Sequence, residues 1–176
     1  MESASNNLTF LIVSEAIRDL LKRFDGMNDR DLQIETRIFE LGRKPGFAFA
    51  SFICIDDISV NTETEAAKFL VIAVAAKILG TKGIIEVKDG QISITFKVIP
   101  QQLRCLTSAD GLFSPEQLFW YRCYANFIAG VFSGVLTHFG YKVFASFEPP
   151  SITELKFNFQ VEKLEGNWTF FSVKQH

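Results

Sequence analysis

Ser114-Pro115-Glu116-Gln117-Leu118-Phe119-Trp120-Tyr121-Arg122-Cys123-Tyr124-Ala125-Asn126-Phe127-Ile128-Ala129-Gly130-Val131-Phe132-Ser133-Gly134-Val135-Leu136-Thr137-His138-Phe139-Gly140 is the stretch on which the fold turns. Ser114 is a helix N-cap, Pro115 suits the first helical position, and Gln117 closes a capping box. Gly140 is the C-terminal stop, so the spacing predicts a helix over Pro115–Phe139. Two columns of small residues run along it. Ala125, Ala129 and Ser133 form one, and Asn126, Gly130 and Gly134 form its neighbour. Glycine weakens a helix by about 1 kcal/mol relative to alanine, so two on one strip imply a close neighbour. That neighbour is either the chain's own sheet or helices, or another subunit. Phe127, Ile128, Val131, Phe132, Val135 and Leu136 cover much of the remainder, which makes this helix central.

Upstream, Phe10, Val13, Ile17, Leu20, Leu21 and Phe24 recur at spacings of three and four, predicting a helix over Leu8–Phe24. Leu8, Leu11, Ile12 and Ala16 widen its apolar arc until two packed surfaces are needed to cover it. Residues 1–7 are expected to be a disordered tail. A second helix starts near Arg30 and runs through Leu32, Ile34, Ile38 and Leu41. Gly42-Arg43-Lys44-Pro45-Gly46 is expected to kink or stop it, because proline lacks a donor and clashes with the preceding turn. The same string also reads as an exposed basic elbow suited to a partner or an anionic lipid. Apolar periodicity resumes through Phe47, Phe49, Phe52 and Ile53. Thr62 and Glu65 form a capping box ahead of a third helix, Ala66 to Leu79, with Gly80 as its stop.

Ile84–Lys88, Asp89-Gly90 and Gln91–Val98 make a hairpin around a two-residue type I′ turn, pairing Val87 with Ile92 and Ile85 with Ile94. Ile99 to Phe113 is expected as loop or irregular strand. Beyond the long helix, Tyr141–Glu148 and Thr153–Lys163 are strands around the Pro149-Pro150 turn. Leu155, Phe157, Phe159 and Val161 alternate there with polar residues. Gly166-Asn167 then turns into a last strand, Trp168 to Val173. Three helices, a hairpin, a long fourth helix and a C-terminal antiparallel strand group define an α+β domain occupying the whole chain.

Its 176 residues are 48% hydrophobic and 22% charged, which excludes disordered and fibrous classes. The net charge of −2 leaves no basic excess for a nucleic-acid backbone. The acidic start of the chain implies no targeting segment. The longest apolar run, Phe69 to Ala76, falls far short of the roughly 20 residues a membrane span needs. Cys54, Cys105 and Cys123 are an odd number without a C-x-x-C pair and read as reduced, buried thiols. Cys123 and His138 sit about 22 Å apart on one helix at 1.5 Å per residue, too far for a nucleophile and its base. His138 is read as a last-turn residue favoured by the helix dipole. Neither a metal set nor a phosphate loop is present.

Tyr124 to Leu136, with Thr137-His138-Phe139-Gly140-Tyr141 after it, resembles the last-helix signature of the small core subunits of TRAPP, the transport protein particle. This is the bet-three-like family. Within the signature, Tyr124, Asn126, Gly130, Gly134, Leu136 and Gly140 are the marker positions. Leu32 to Gly42, followed by Gly46, looks like the second helix of the thirty-one-kilodalton yeast branch (subunit five in mammals). Lys68 to Gly80 resembles the bet-three branch as well. The resemblance puts that branch's acylated cysteine near Val60, where this chain has none and Cys54 is six positions away, so covalent palmitoylation is not carried over.

The resemblance implies an α/β-plait and pairing with other small TRAPP subunits through the first two helices, here Phe10, Val13, Ile17, Leu20, Leu21, Ile34, Ile38 and Leu41. It implies a structural role in a complex tethering vesicles between the endoplasmic reticulum and the Golgi. The assembled complex, not this chain, would exchange nucleotide on a Rab-type GTPase. A cytoplasmic protein with peripheral membrane contact follows, without a cofactor beyond a non-covalent lipid in an apolar cavity. The other reading is a homodimeric sensor module of the same fold that binds a small hydrophobic ligand.

Overall fold

A computed structural model describes residues 2–53, 60–97, 103, 113–148 and 153–164, with no account of side chains before Thr9. The expectations for most of 98–112, for the Pro149-Pro150 turn, for the strand after Gly166-Asn167, and for Cys54 and Cys105 lie outside the described residues. Helices α1 (Glu2–Arg23) and α2 (Arg30–Ile53) form a hairpin. After them come α3 (Glu63–Phe69), a π-helical segment (Leu70–Ala75) and a last turn, α4 (Ala76–Ile78). Strands β1 (Ile84–Lys88) and β2 (Gln91–Phe96) precede the long helix α5 (Pro115–His138), and β3 (Tyr141–Phe147) and β4 (Leu155–Lys163) follow it. The four strands form one antiparallel sheet in the order β1-β2-β4-β3. This is the α+β architecture read from the sequence.

Local chemistry explains the element ends. Ser114 Oγ accepts from the Gln117 backbone N–H, and the Gln117 side chain accepts in return from the Ser114 N–H. Thr62 and Glu65 close the second capping box in the same way. Asp89 and Gly90 take φ of 47° and 76°, the left-handed pair that a type I′ turn requires. The hairpin register is the expected one, Val87 opposite Ile92 and Ile85 opposite Ile94. Helix α1 begins at Glu2, so its backbone runs through the residues expected as a disordered tail.

The core explains much of the phenylalanine content. Phe132, from the middle of α5, packs against Phe96, Phe157 and Phe159 of the sheet with ring centroids 6.3, 5.7 and 6.1 Å away. The opposite side of α5 carries Gly130 and Gly134 and faces α2. A Cβ at Gly130 would strike the Phe39 carbonyl oxygen, and one at Gly134 would strike that of Arg43. Reciprocally, a Cβ at Gly42 would strike the Phe127 carbonyl and one at Gly46 the Val131 carbonyl. All four positions leave less than 3.0 Å, a separation that real Cβ atoms essentially never show. The two backbones touch through glycine on both sides. The strip on α5 therefore packs within the chain, resolving the alternative left open by its sequence.

The same contact corrects the reading of Pro45. Instead of stopping, α2 continues unbroken to Ile53 with Pro45 inside it. Gly42 and Gly46 are buried against α5 while Pro45 is exposed, so the carbonyl left without a donor is on the side open to water. Docking of the glycine face outweighs the local cost of the proline.

Two substitutions test this packing. Gly134→Ala should lower unfolding stability by about 1–3 kcal/mol or more in urea melts, since backbone must move to admit the methyl. Were the helices apart in solution, the same change would stabilise by about 1 kcal/mol through helix propensity. Pro45→Ala should raise stability by about 1–3 kcal/mol in the same assay, because it restores a helical donor on an exposed face.

Candidate interaction surface

The marker residues of α5 each have a physical task. Tyr124 donates its hydroxyl proton to Ser14 Oγ (2.5 Å), and Ser14 in turn donates to the Phe10 carbonyl (2.9 Å). Phe10 stacks flat on the Tyr124 ring, with centroids 4.6 Å apart and planes 5° from parallel. Burial is the main reason the Tyr124 phenol is pushed above its usual range. Asn126 Nδ2 donates to Glu35 Oε2 at 3.2 Å, while Arg122 Nε lies 2.8 Å from Glu35 Oε1 as an ion pair. Gly130 and Gly134 admit the α2 backbone. Leu136 is fully buried, and Gly140 takes φ +82° to end the helix.

The residues expected to meet a partner divide into two sets. Val13, Ile17, Ile34 and Ile38 are buried within the chain's own core. They are not available as surface, which corrects that part of the expectation. Phe10, Leu20 and Leu21 are half-buried against the same core. Leu41 alone among the eight is exposed. The apolar side chains that face solvent on α1 and α2 are instead Leu11 (59% exposed), Ile12, Leu32 (65%), Leu41 and Phe52 (74%). Leu11 and Ile12 belong to the widened arc of the first helix, so the signal was present. Periodicity cannot say which flank of a broad arc turns inward.

Clefts lined by described residues open on the surface. One of about 350 Å³ is lined by Asn61, Thr62, Glu63, Val87, Tyr141 and Lys163. Tyr141 Oη is buried there without a hydrogen-bond partner among the described residues. A second, of about 320 Å³, lies between α1 and α5 and is walled by Phe10, Trp120 and Tyr124, with Arg18 and Glu116 among its polar lining. The third, of about 350 Å³, lies between α2 and α5 beside Arg43, Lys44 and Phe47.

Among the described residues no nucleophile is set beside a base. Cys123 is buried, and burial followed by the nearby Glu35 carboxylate holds its thiol well above the usual range. His138 packs edge-on to Phe47 and its Nδ1 lies 3.1 Å from Ser51 Oγ. That hydroxyl gives its proton to the Phe47 carbonyl (3.0 Å), so Nδ1–H is the donor to Ser51. Burial lowers the His138 pKa below 6.5, favouring the neutral ring over the last-turn cation expected from the helix dipole. Among the described residues no cluster of His, Cys, Asp or Glu could hold a metal, and no helix is long and apolar enough to cross a membrane.

Neither the protein-family models nor the curated proteins contain a match to this chain. Solved structures do. The crystal structure of a trafficking protein particle complex subunit 3 from Naegleria fowleri, covalently bound to palmitic acid, superposes with a TM-score of 0.69. It covers 92% of this chain and 97% of that one at 14% identity. At that identity the likeness is one of fold: a bet-three-like arrangement of helices on a four-stranded antiparallel sheet. It lends no support to the subunit-five branch that the second-helix motif resembles.

A pH prediction follows from the burial of His138. Its folded pKa is depressed, so the unfolded chain binds the extra proton first as pH falls. The stability contributed is complete above about pH 6.5 and is lost as pH drops through 6.5 toward the lower folded value. Glu65, whose pKa is lowered chiefly by the Asn61 and Thr62 backbone N–H groups, adds a second loss below about pH 4.5. Thermal melts across this range should show both declines, and His138→Gln should flatten only the upper one.

Proposed function

We propose that this chain is a structural subunit of a TRAPP-type vesicle-tethering complex, working by contact and not by catalysis. The observation that carries the reading is the fold likeness across nearly the full length of both chains. Support also comes from the exposed Leu11, Ile12, Leu32 and Leu41 on the first two helices. Exposed aliphatic side chains on adjacent elements are the usual mark of a protein contact. The partners are other small subunits of the same complex, paired across α1 and α2. The particle so built serves endoplasmic-reticulum-to-Golgi transport at the cytoplasmic face of those membranes, without spanning them. Exchange on a Rab-type GTPase belongs to the composite surface, to which this subunit contributes position.

A second reading draws on one specific observation. The Tyr141 side chain lines a cleft of about 350 Å³ and its hydroxyl has no hydrogen-bond partner among the described residues, which supports a homodimeric sensor of small apolar molecules. The palmitic acid of the Naegleria protein is covalently held. Here the chain has no cysteine near Val60, where the family resemblance puts the acylated one, and Cys123 is buried within α5, so this reading takes a lipid held without a covalent bond, with Cys54 and Cys105 outside the described residues.

The discriminating experiment is affinity purification of the tagged chain from its native cytosol, with mass spectrometry of what co-purifies. Other small TRAPP subunits are expected in stoichiometric amounts. Leu11→Asp combined with Ile12→Asp and Leu41→Asp should lose them while the monomer stays folded by circular dichroism. Charges at the buried Ile17 would unfold the chain and report nothing about partners. Recovery of a homodimer carrying an apolar ligand would favour the sensor.

A further inference from the structure

The sheet order β1-β2-β4-β3 leaves β3 at an edge, paired among the described residues with β4 alone. Two hydrogen bonds fix which way its backbone groups point. Leu164 N–H donates to the Gly140 carbonyl (2.9 Å) and Glu148 N–H donates to the Lys156 carbonyl (3.0 Å), both between β3 and β4. Gly140 and Glu148 flank the strand, and the residues that turn their N–H and C=O toward a given antiparallel neighbour alternate. Lys142, Phe144 and Ser146 therefore direct theirs to β4. Val143, Ala145 and Phe147 direct theirs outward, away from the sheet.

Outward donors and acceptors repeating at every second residue match another extended backbone. Sheet edges are commonly blunted by proline, bulges, several charges or short length. Strand β3 is seven residues with no proline and a single charge, Lys142. Its register with β4 is continuous from Tyr141 to Phe147, so no bulge interrupts it. The other edge, β1, is five residues long and exposes both Glu86 and Lys88. On the core face Val143, Ala145 and Phe147 are only half-buried, while Phe157, Phe159 and Val161 beside them on β4 are buried. Apolar cover is thus incomplete on the side where the backbone is open.

The order of residues in β3 selects its own copy as the strand that fits. Two β3 strands set antiparallel about a two-fold axis at Ala145 place Val143 opposite Phe147 of the second copy and Lys142 opposite its Glu148. Apolar meets apolar on the core face, and opposite charges meet on the solvent face. Lys142 and Glu148 then face each other at a non-hydrogen-bonded position, where side chains come closest. Each is exposed and paired only at the surface within its own chain, Lys142 with Glu162 (3.8 Å) and Glu148 through Oε1 with Lys156 (2.8 Å). Phe144, 61% exposed, comes diagonally opposite its own counterpart, within reach of aromatic side chains. We propose that two copies of this chain join edge to edge through β3, continuing the antiparallel sheet across the two-fold axis. The contact uses neither α1 nor α2, so it goes beyond the scaffold reading, and either can fail without the other.

The test is analytical ultracentrifugation of the full chain over a concentration series, with amide hydrogen exchange read residue by residue. A monomer–dimer equilibrium is expected, in which the Val143, Ala145 and Phe147 amides gain protection as concentration rises. The Phe144 and Ser146 amides should be protected throughout, because β4 holds them. Ala145→Pro removes an outward donor and spares the β4 ladder, so it should give monomer alone with a melt close to the parent's. Should that variant fail to fold, charge exchange decides. Lys142→Glu should weaken the dimer about ten-fold by setting like charges opposite each other at two symmetric places, and adding Glu148→Lys should restore it. A chain monomeric at every concentration would overturn the proposal. Protection of Ala145 independent of concentration would do so too, since the edge would then be covered within the chain. A dimer lost with the Leu11, Ile12 and Leu41 changes but indifferent to Ala145→Pro would assign self-association to the helices and overturn the strand contact.

Discussion

The contact between α2 and α5 is the constraint from which the rest of the molecule follows. Gly42 and Gly46 on one helix and Gly130 and Gly134 on the other leave no atom beyond the backbone at four successive points of approach. At this spacing Cα–H groups lie against carbonyl oxygens of the facing helix, a weak attraction repeated along the seam. Dispersion between two bare backbones adds to it. Because glycine is required on both sides, one register is allowed. A slip of one residue would drive Arg43 or Phe47 into the seam. That register turns Pro45 toward water and Arg43 and Lys44 toward the cleft. It also aims Phe132, on the far side of α5, at the sheet.

Polar ties fix what the glycines bring together. Glu35 receives Asn126 on one oxygen and faces Arg122 on the other, joining α2 to α5 nearer the start of each helix. Tyr124, Ser14 and the Phe10 carbonyl form a second chain of contacts that holds α1. Each buried polar group so engaged penalises alternative packings, because displacement would leave it unsatisfied. Tyr121 and Tyr141 are different. Both hydroxyls are buried without partners among the described residues, and burial pushes the Tyr121 phenol up to about 12.

The surface left over has two characters. Leu11, Ile12, Leu32 and Leu41 present aliphatic area on the helical hairpin, while Arg43 and Lys44 border a cleft beside α5 and Phe52 is exposed further along α2. The fold is shared with a trafficking protein particle complex subunit at 14% identity, and among the described residues no cluster of His, Cys, Asp or Glu could hold a metal.

Much of the architecture was legible in the chain because it rests on local rules. The Ser114 and Thr62 capping boxes, the Asp89-Gly90 turn with its register, the alternation of β4 and the stop at Gly140 involve residues close in sequence, whose backbone chemistry is self-contained. The small-residue strip on α5 announced a close neighbour without naming it. What the sequence could not decide was anything set by a competition between distant parts. Gly42-Arg43-Lys44-Pro45-Gly46 reads locally as a break, and only docking of its glycines onto α5 keeps the helix intact. The inward or outward fate of the first two helices is of the same kind. Val13 and Ile17 turn into the core while Leu11 and Ile12 stay outside, because the Tyr124 contact fixes how α1 lies, and a broad apolar arc carries no mark of which flank will be covered. By itself the sequence determined most of the elements, their capped ends and the pairing of the hairpin. Only the tertiary structure decided which apolar faces are core and which are surface, since burial is a property of the neighbours an element finds and not of the element alone.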